Sequence, residues 1–275
     1  MTDLHITESE SQIEKADFQQ PALEVASLSL GYHADAPALW DVSLKIPKGA
    51  LVGIFGPNGA GKSTFVKACV GLIQPLSGQV FIEDCPISES KGKVAYVPQK
   101  GEVDWGFPVT AFDVVLMGCY PELGLFKRPK SSHRQRALAM LERVGMLSFA
   151  DRHISHLSEG QKQRVFIARM LMQEADIYFL DEPFAGIDMT SERVIFEQIK
   201  QLKNAGKTVI IVHHNLMNAP ELFDWSIFFN VRLCGCGPIE ETFCPEILEK
   251  TFGPSVRLLS EATRLSKEMR VGRGP

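Results

Sequence analysis

"ALVGIFGPNGAGKST", residues 50–64, decides how this chain folds. The apolar run from Ala50 to Phe55 has the length and composition of a short buried strand. Gly56, Pro57, Asn58, Gly59, Ala60, Gly61, Lys62, Ser63 and Thr64 follow at once and meet the G-x-x-x-x-G-K-[ST] phosphate-loop pattern. Lys62 to Gly71 then reads as a helix, stopped by Gly71 and Pro75. Strand, glycine-rich turn and helix in that order suit a phosphate. The glycines let backbone N–H groups close around its oxygens, and the helix N-terminus adds the positive end of its dipole. On this reading Lys62 reaches the β- and γ-phosphates of a nucleotide, and Ser63 puts its hydroxyl on Mg²⁺.

A second segment, "DIYFLDEP", residues 176–183, supplies the acidic half of such a site. Four apolar residues bury the strand, and Asp181 emerges at its C-terminal end, where ligands of open α/β sheets bind. Asp181 suits Mg²⁺, directly or through water, and Glu182 is placed to polarise an attacking water.

Between and around these segments, strand patterns alternate with helical ones. Strands are expected at "ALEVASLSLGY", "LWDVSLKI", "GQVFIED", "KVAYV" and "KTVIIV", with two more near 225–235. Helices are expected at "VTAFDVVLMG", at "SSHRQRALAMLERVG" (from a Ser cap to Gly145), at 159–174 and at 190–204. The fold class is therefore α/β: a P-loop NTPase core with an N-terminal antiparallel β part and an α-helical subdomain inserted at about 104–157. Residues 1–21 are expected to form a flexible leader, 22–255 the main domain and 256–275 a tail.

Composition narrows the class. The 275 residues are 45% hydrophobic and 23% charged, as in an ordinary globular protein, and they carry a net charge of −4 with no Lys/Arg-rich block, which argues against nucleic acid as a partner. No apolar run approaches the roughly 18–20 residues that cross a bilayer, and the start of the chain has no signal-peptide pattern. The chain is expected in the cytosol, reaching a membrane only through a partner. The six cysteines are scattered, read as free thiols, and match no zinc spacing.

"YVPQ", "LSEGQ", "AGID" and "VHHNL" stand in that order around the two nucleotide motifs, and together they resemble the ATP-binding subunits of ABC transporters over roughly residues 22–252. The resemblance implies an ATPase that binds MgATP. It implies that Tyr32 stacks on adenine, that Gln99 senses the nucleotide and Mg²⁺ and contacts a permease, that Asp188 addresses an opposite subunit, and that His214 is the switch for the γ-phosphate. It further implies that Ser158, Gly160 and Gln161 of the signature sequence grip ATP held by a second copy of the chain in a head-to-tail dimer. "PQKGEVDWGFPVTAFDVVLMG" resembles more narrowly the ATPases of manganese, zinc and iron(II) importers. Those work at the cytoplasmic face of the membrane with permease subunits and an extracytoplasmic metal-binding protein. Against that narrower resemblance, Trp105, Phe107 and Val109 can also be read as a generic apolar contact for any permease. The alternatives are an importer for another substrate, such as an iron-siderophore, or a soluble ABC ATPase with no transport role.

Two departures from the family pattern stand out. Asn215 occupies a position where Asp is usual, which removes a charge beside His214. Glu159 occupies a position where Gly is usual. Ser158 and Gln161 have the spacing of a capping box, so Glu159 falls at the first helical position, where the helix dipole favours an acid. The same carboxylate beside a partner's triphosphate is expected to repel it and to hold back dimer closure.

Overall fold

Two out-of-step alternations shape the N-terminal strands. In the computed structural model, which describes residues 20–33, 36–90, 92–102, 105–124 and 127–254, β1 (Leu23–His33) pairs antiparallel with β2 (Ala36–Ile46), with Leu23 opposite Ile46. Leu23, Val25, Leu28 and Leu30 are all buried, although Val25 and Leu28 are out of phase for a regular strand. Ser27, at φ 47°, adopts left-handed backbone there and the ladder slips. Asp41, at φ 48°, does the same in β2 between the buried Leu39 and Val42. These bulges return the apolar side chains to one face.

After β3 (Leu51–Phe55) and α1 (Lys62–Cys69), β4 (Ser77–Ile82) returns to pair with β1. The strand expected through Asp84 ends at Ile82, because Glu83 and Asp84, at φ 47° and 65°, form a tight turn into β5 (Cys85–Pro86). Two positive-φ residues in succession are what a two-residue hairpin requires. The antiparallel sheet has the order β2-β1-β4-β5.

The second sheet adds β6 (Val94–Val97), β7 (Ile177–Asp181), β8 (Thr208–Val212), β9 (Trp225–Asn230) and β10 (Arg232–Pro238) in the order β10-β9-β3-β8-β7-β6. All neighbours are parallel except β10, which folds back on β9. Every residue of β3, β7 and β8 is buried, as expected of strands covered on both faces. Ile177 and Phe179 point into a core shared with α1 and the antiparallel sheet, whereas Tyr178 and Leu180 point into the core beneath the other helices.

Between β6 and β7 lie α2 (Ala111–Leu116), α3 (Tyr120–Leu123), α4 (Ser131–Arg143) and α5 (Glu159–Leu171). The described residues of that stretch form no strand; an isolated bridge joins Thr110 to His153. Ser131 is not the cap of α4. It is the first helical residue, and the His133 Nδ1 accepts the backbone N–H of Lys130 at 3.0 Å instead. Helix α5 also ends earlier than expected, at Leu171, before Glu174 turns the chain through left-handed backbone at φ 51°. Helix α6 (Met189–Asn204) links β7 to β8; α7 (Ala219–Leu222), α8 (Ile239–Thr242) and α9 (Pro245–Phe252) are the remaining helices of the described residues. Among the described residues no helix is long and apolar enough to cross a membrane. The expected leader up to residue 19 and the expected tail 256–275 lie outside the described residues.

Candidate nucleotide site

The parallel strands β3, β6, β7 and β8 deliver their C-terminal ends to one edge of the sheet, where α/β proteins bind ligands. Gly56 to Thr64 follows β3, Gln99 follows β6, Asp181 ends β7 and is followed by Glu182, and His214 follows β8. Four sequence segments far apart in the chain thus converge.

The loop after β3 is built for close approach. Gly56 has φ 154°, and a Cβ there would lie 2.2 Å from the Phe229 carbonyl oxygen. Gly61, at φ 88°, caps α1 in left-handed backbone, and its Cβ would lie 2.6 Å from the Ala38 oxygen. No side chain fits at either position. Lys62 is only 6% exposed, and its ammonium donates to the carbonyls of Gly56 and Pro57, each at 2.9 Å. Burial lowers the Lys62 pKa, and the nearby charges of Glu182 and Asp181 oppose that shift. A cation held at the mouth of a glycine loop, in the field of two carboxylates, suits the charge distribution of MgATP. Asn58 and Gly59 are exposed at the crest of the loop, while Ala60 is buried beneath it.

Glu182 is the most constrained acid of the site. Its backbone is left-handed at φ 51°, a conformation that costs a non-glycine residue energy and clusters at functional sites. Its Oε1 lies 2.5 Å from His214 Nε2, with the Glu182 side chain 15% exposed. His213 points elsewhere. It is packed among Phe55, Phe184 and Phe223, and burial pushes its pKa below the ordinary value. Asn215 turns its Oδ1 to its own backbone, accepting the N–H of Met217 at 2.9 Å.

Asp181 is 1% exposed, Ser63 and Gln99 are half-buried, and all three stand on segments that leave the same sheet edge. Their hydroxyl, amide and carboxylate oxygens form the kind of donor set that a hard Mg²⁺ ion takes, and the charge of Asp181 is felt at Lys62. The residues present therefore fit that ion. Tyr32 stands near the end of β1, but its side chain lies outside the described residues.

Ser158 caps α5. Its Oγ accepts the Gln161 N–H at 3.3 Å while Gln161 Oε1 accepts the Ser158 N–H at 2.9 Å, a complete capping box. Gly160 lies against Asp188 and Ser191, and a Cβ there would be 2.3 Å from Asp188 Oδ2. Asp188 in turn caps α6, accepting the backbone N–H and the hydroxyl of Ser191 at 2.9 and 2.7 Å, bonds that hold its carboxyl below the ordinary range. Among the described residues no hydrogen bond or ion pair joins Ser158, Gly160 or Gln161 to the Gly56–Thr64 loop.

The sequence profile of the ABC transporter family matches residues 39–185, which span the phosphate loop, the signature segment and the Asp181–Glu182 strand end. The chain belongs to the ABC transporter family. It is the ATP-binding, ATP-hydrolysing subunit of such a transporter. Among its relatives are the manganese transport system ATP-binding protein MntB of Bacillus subtilis, 47% identical over 87% of this chain and 95% of that protein, and the zinc transport system ATP-binding protein TroB of Treponema pallidum, 48% identical over 84% and 87%. Among solved structures, an ATP-binding subunit of an ABC transporter aligns with a TM-score of 0.70 at 26% identity, covering 84% of this chain and 93% of its own. A nucleotide-free ATP-binding cassette aligns with a TM-score of 0.71 at 24% identity, over 84% and 98%, and shares the fold.

Two features of this ABC ATPase escaped the sequence. Trp105 is half-buried; its ring packs against Phe166 at 5.1 Å and its Nε1 donates to the Lys100 carbonyl. Phe107 is the exposed member of that group, at 58%. Glu159 is paired: Lys162 donates to it at 2.9 Å and Lys100 lies 3.6 Å away, which together hold its carboxyl below the ordinary range. The two ammoniums offset the Glu159 carboxylate at a helix end that also carries the Asp188 carboxylate, so the repulsion expected of an unpaired Glu159 is reduced. Lys100 gave no signal in the sequence, since nothing local ties it to a residue so distant in the chain.

Proposed function

We propose that this chain powers uptake of a divalent metal ion, manganese or zinc, with iron(II) as the third candidate. The observation that carries the cargo assignment is near-50% identity, across most of both chains, to ATP-binding proteins of manganese and zinc transport systems. The metal is cargo and passes through the partners. Integral permease subunits span the membrane, an extracytoplasmic metal-binding protein delivers the ion, and this chain sits peripherally at the cytoplasmic face.

At the site itself, Tyr32 stacks on adenine, the N–H groups of Gly56 to Thr64 cradle the phosphates, and Lys62 neutralises the β- and γ-oxygens. Ser63, Gln99 and Asp181 would hold Mg²⁺, which would supply positive charge against the same phosphates. Glu182 accepts the proton of the attacking water, and His214, whose Nε2 lies against its carboxylate, holds that group in place and reads the γ-phosphate. Ser158, Gly160 and Gln161 close on ATP carried by a second copy of the chain, with Asp188 beside them at the shared face. Among the described residues, Ser158, Gly160 and Gln161 make no bond to the phosphate loop of the same chain, which supports a partner in trans. Gln99 relays the state of the nucleotide to the permease. Residues 22–255 form the ATPase domain in this account.

Growth of the source cell after loss of the gene tests the cargo. Under chelation the mutant is expected to stop growing, and added manganese, zinc or iron(II) to restore it. Restoration by a siderophore or an amino acid instead would overturn the metal assignment and leave the ATPase assignment intact.

A further inference from the structure

Lys100, the residue after Gln99, closes a circuit that joins three functional segments. Its ammonium lies 3.6 Å from Glu159 Oε2 at the first turn of α5, and it donates to the Gly186 carbonyl at 3.3 Å, within the loop that runs from Glu182 to Asp188. Glu159 Oε1 accepts from Lys162 at 2.9 Å, and the Lys162 ammonium sits 5.0 Å over the ring of Trp105. Trp105 Nε1 then donates back to the Lys100 carbonyl at 3.3 Å. The path Lys100–Glu159–Lys162–Trp105–Lys100 is thus continuous, and every step is a hydrogen bond, an ion pair or a cation–π contact.

We propose that Lys100 is a positioning residue for ATP hydrolysis, and that Glu159 is its anchor. The segment after Gln99, the loop after Glu182 and the N-terminus of the signature helix move as one body while this circuit holds. Glycine at position 159 could offer no carboxylate to either lysine. The helix dipole favours the Glu159 carboxylate at this N-terminus, and the carboxylate in turn holds the ammoniums of Lys100 and Lys162 there.

Lys100 is 24% exposed and Glu159 51%, so an isolated pair of this kind contributes little, and the effect must come from the network. Lys100 makes no bond to the phosphate loop among the described residues, so it is expected to act on turnover and not on ATP affinity. The proposal rests on the hydrolytic site assigned above and is independent of the metal cargo.

Steady-state phosphate release by the full-length chain, with ATP varied, tests it in Lys100→Met, Lys100→Arg, Glu159→Gln and the Lys100→Met/Glu159→Gln double variant. Lys100→Met is expected to lower kcat about two- to five-fold with KM for ATP unchanged, the span that networked surface pairs reach. Lys100→Arg, which keeps the charge, recovers most of that loss. In the Glu159→Gln background the cost of Lys100→Met shrinks, because its partner is already gone. An equal cost in both backgrounds, or a change confined to KM, overturns the proposal. Glu182→Gln run alongside reports on the hydrolytic site separately from Lys100.

Discussion

Glu182 Oε1 and His214 Nε2 lie 2.5 Å apart across the ends of the neighbouring strands β7 and β8. The strand register sets this distance, because Asp181 is opposite Val212 and each chain then advances past the sheet edge. Glu182 takes left-handed backbone as it leaves, which turns its carboxylate toward the imidazole. His214→Ala removes the imidazole that lies against this carboxylate and, in the function proposed above, orients it. Turnover is expected to fall about 100-fold, the low end of what general base catalysis contributes. Melting temperature should stay near wild type, since the His214 side chain is 43% exposed. ATP hydrolysis and thermal unfolding, measured on the same preparation, check both halves.

Gly160→Ala tests the contact between the signature helix and α6. The new Cβ would meet Asp188 Oδ2 at 2.3 Å and Ser191 Oγ at 2.4 Å, the two atoms that form the α6 cap. Relieving the clash unseats the cap, which costs about 1 kcal/mol. Denaturant unfolding is expected to report that loss, and the ATPase rate to fall with it. Wild-type stability in Gly160→Ala would show that the two helices slide apart at no cost.

His213 predicts a pH dependence of stability. Burial, with a smaller contribution from the charge of His214, holds its pKa below the ordinary 6.5 in the folded chain. Below 6.5 the unfolded chain takes up a proton that folded His213 refuses, so the unfolded state gains. The stabilisation is complete above 6.5 and is lost as pH falls toward the folded pKa. His213→Phe removes the titration while keeping an aromatic ring against Phe55, Phe184 and Phe223. Its melting temperature should fall less than that of wild type between neutral and mildly acid pH, and parallel falls would contradict the assignment.

Much of the fold and site was legible because the informative residues are contiguous. Gly56 to Thr64 and Asp181-Glu182 each carry their chemistry in one short run, and the strands before them are short and wholly apolar. What escaped depends on backbone conformation or distant pairing. The bulges at Ser27 and Asp41 and the turn at Glu83-Asp84 lie at residues with no sequence preference for positive φ strong enough to mark them. The cap of α4 by His133 uses a side chain outside the usual capping set. The pairing of Glu159 is illegible for a different reason: Lys162 is a local neighbour, but Lys100 precedes the inserted helices and no local pattern ties it to Glu159. A charge cannot be scored without its partners.

The central claim, that Glu182 activates water for ATP held by the Gly56–Thr64 loop, is tested most directly by single-turnover hydrolysis in Glu182→Gln. The amide keeps the size of the side chain and can still hydrogen-bond His214, but it is too weak a base to take the proton. ATP binding, followed by equilibrium titration of the same protein, is expected to match wild type, because Lys62 and its two carbonyl contacts are untouched. The hydrolysis step is expected to slow by at least about 100-fold. Hydrolysis at the wild-type rate with ATP bound normally would contradict the account and move the base to another residue.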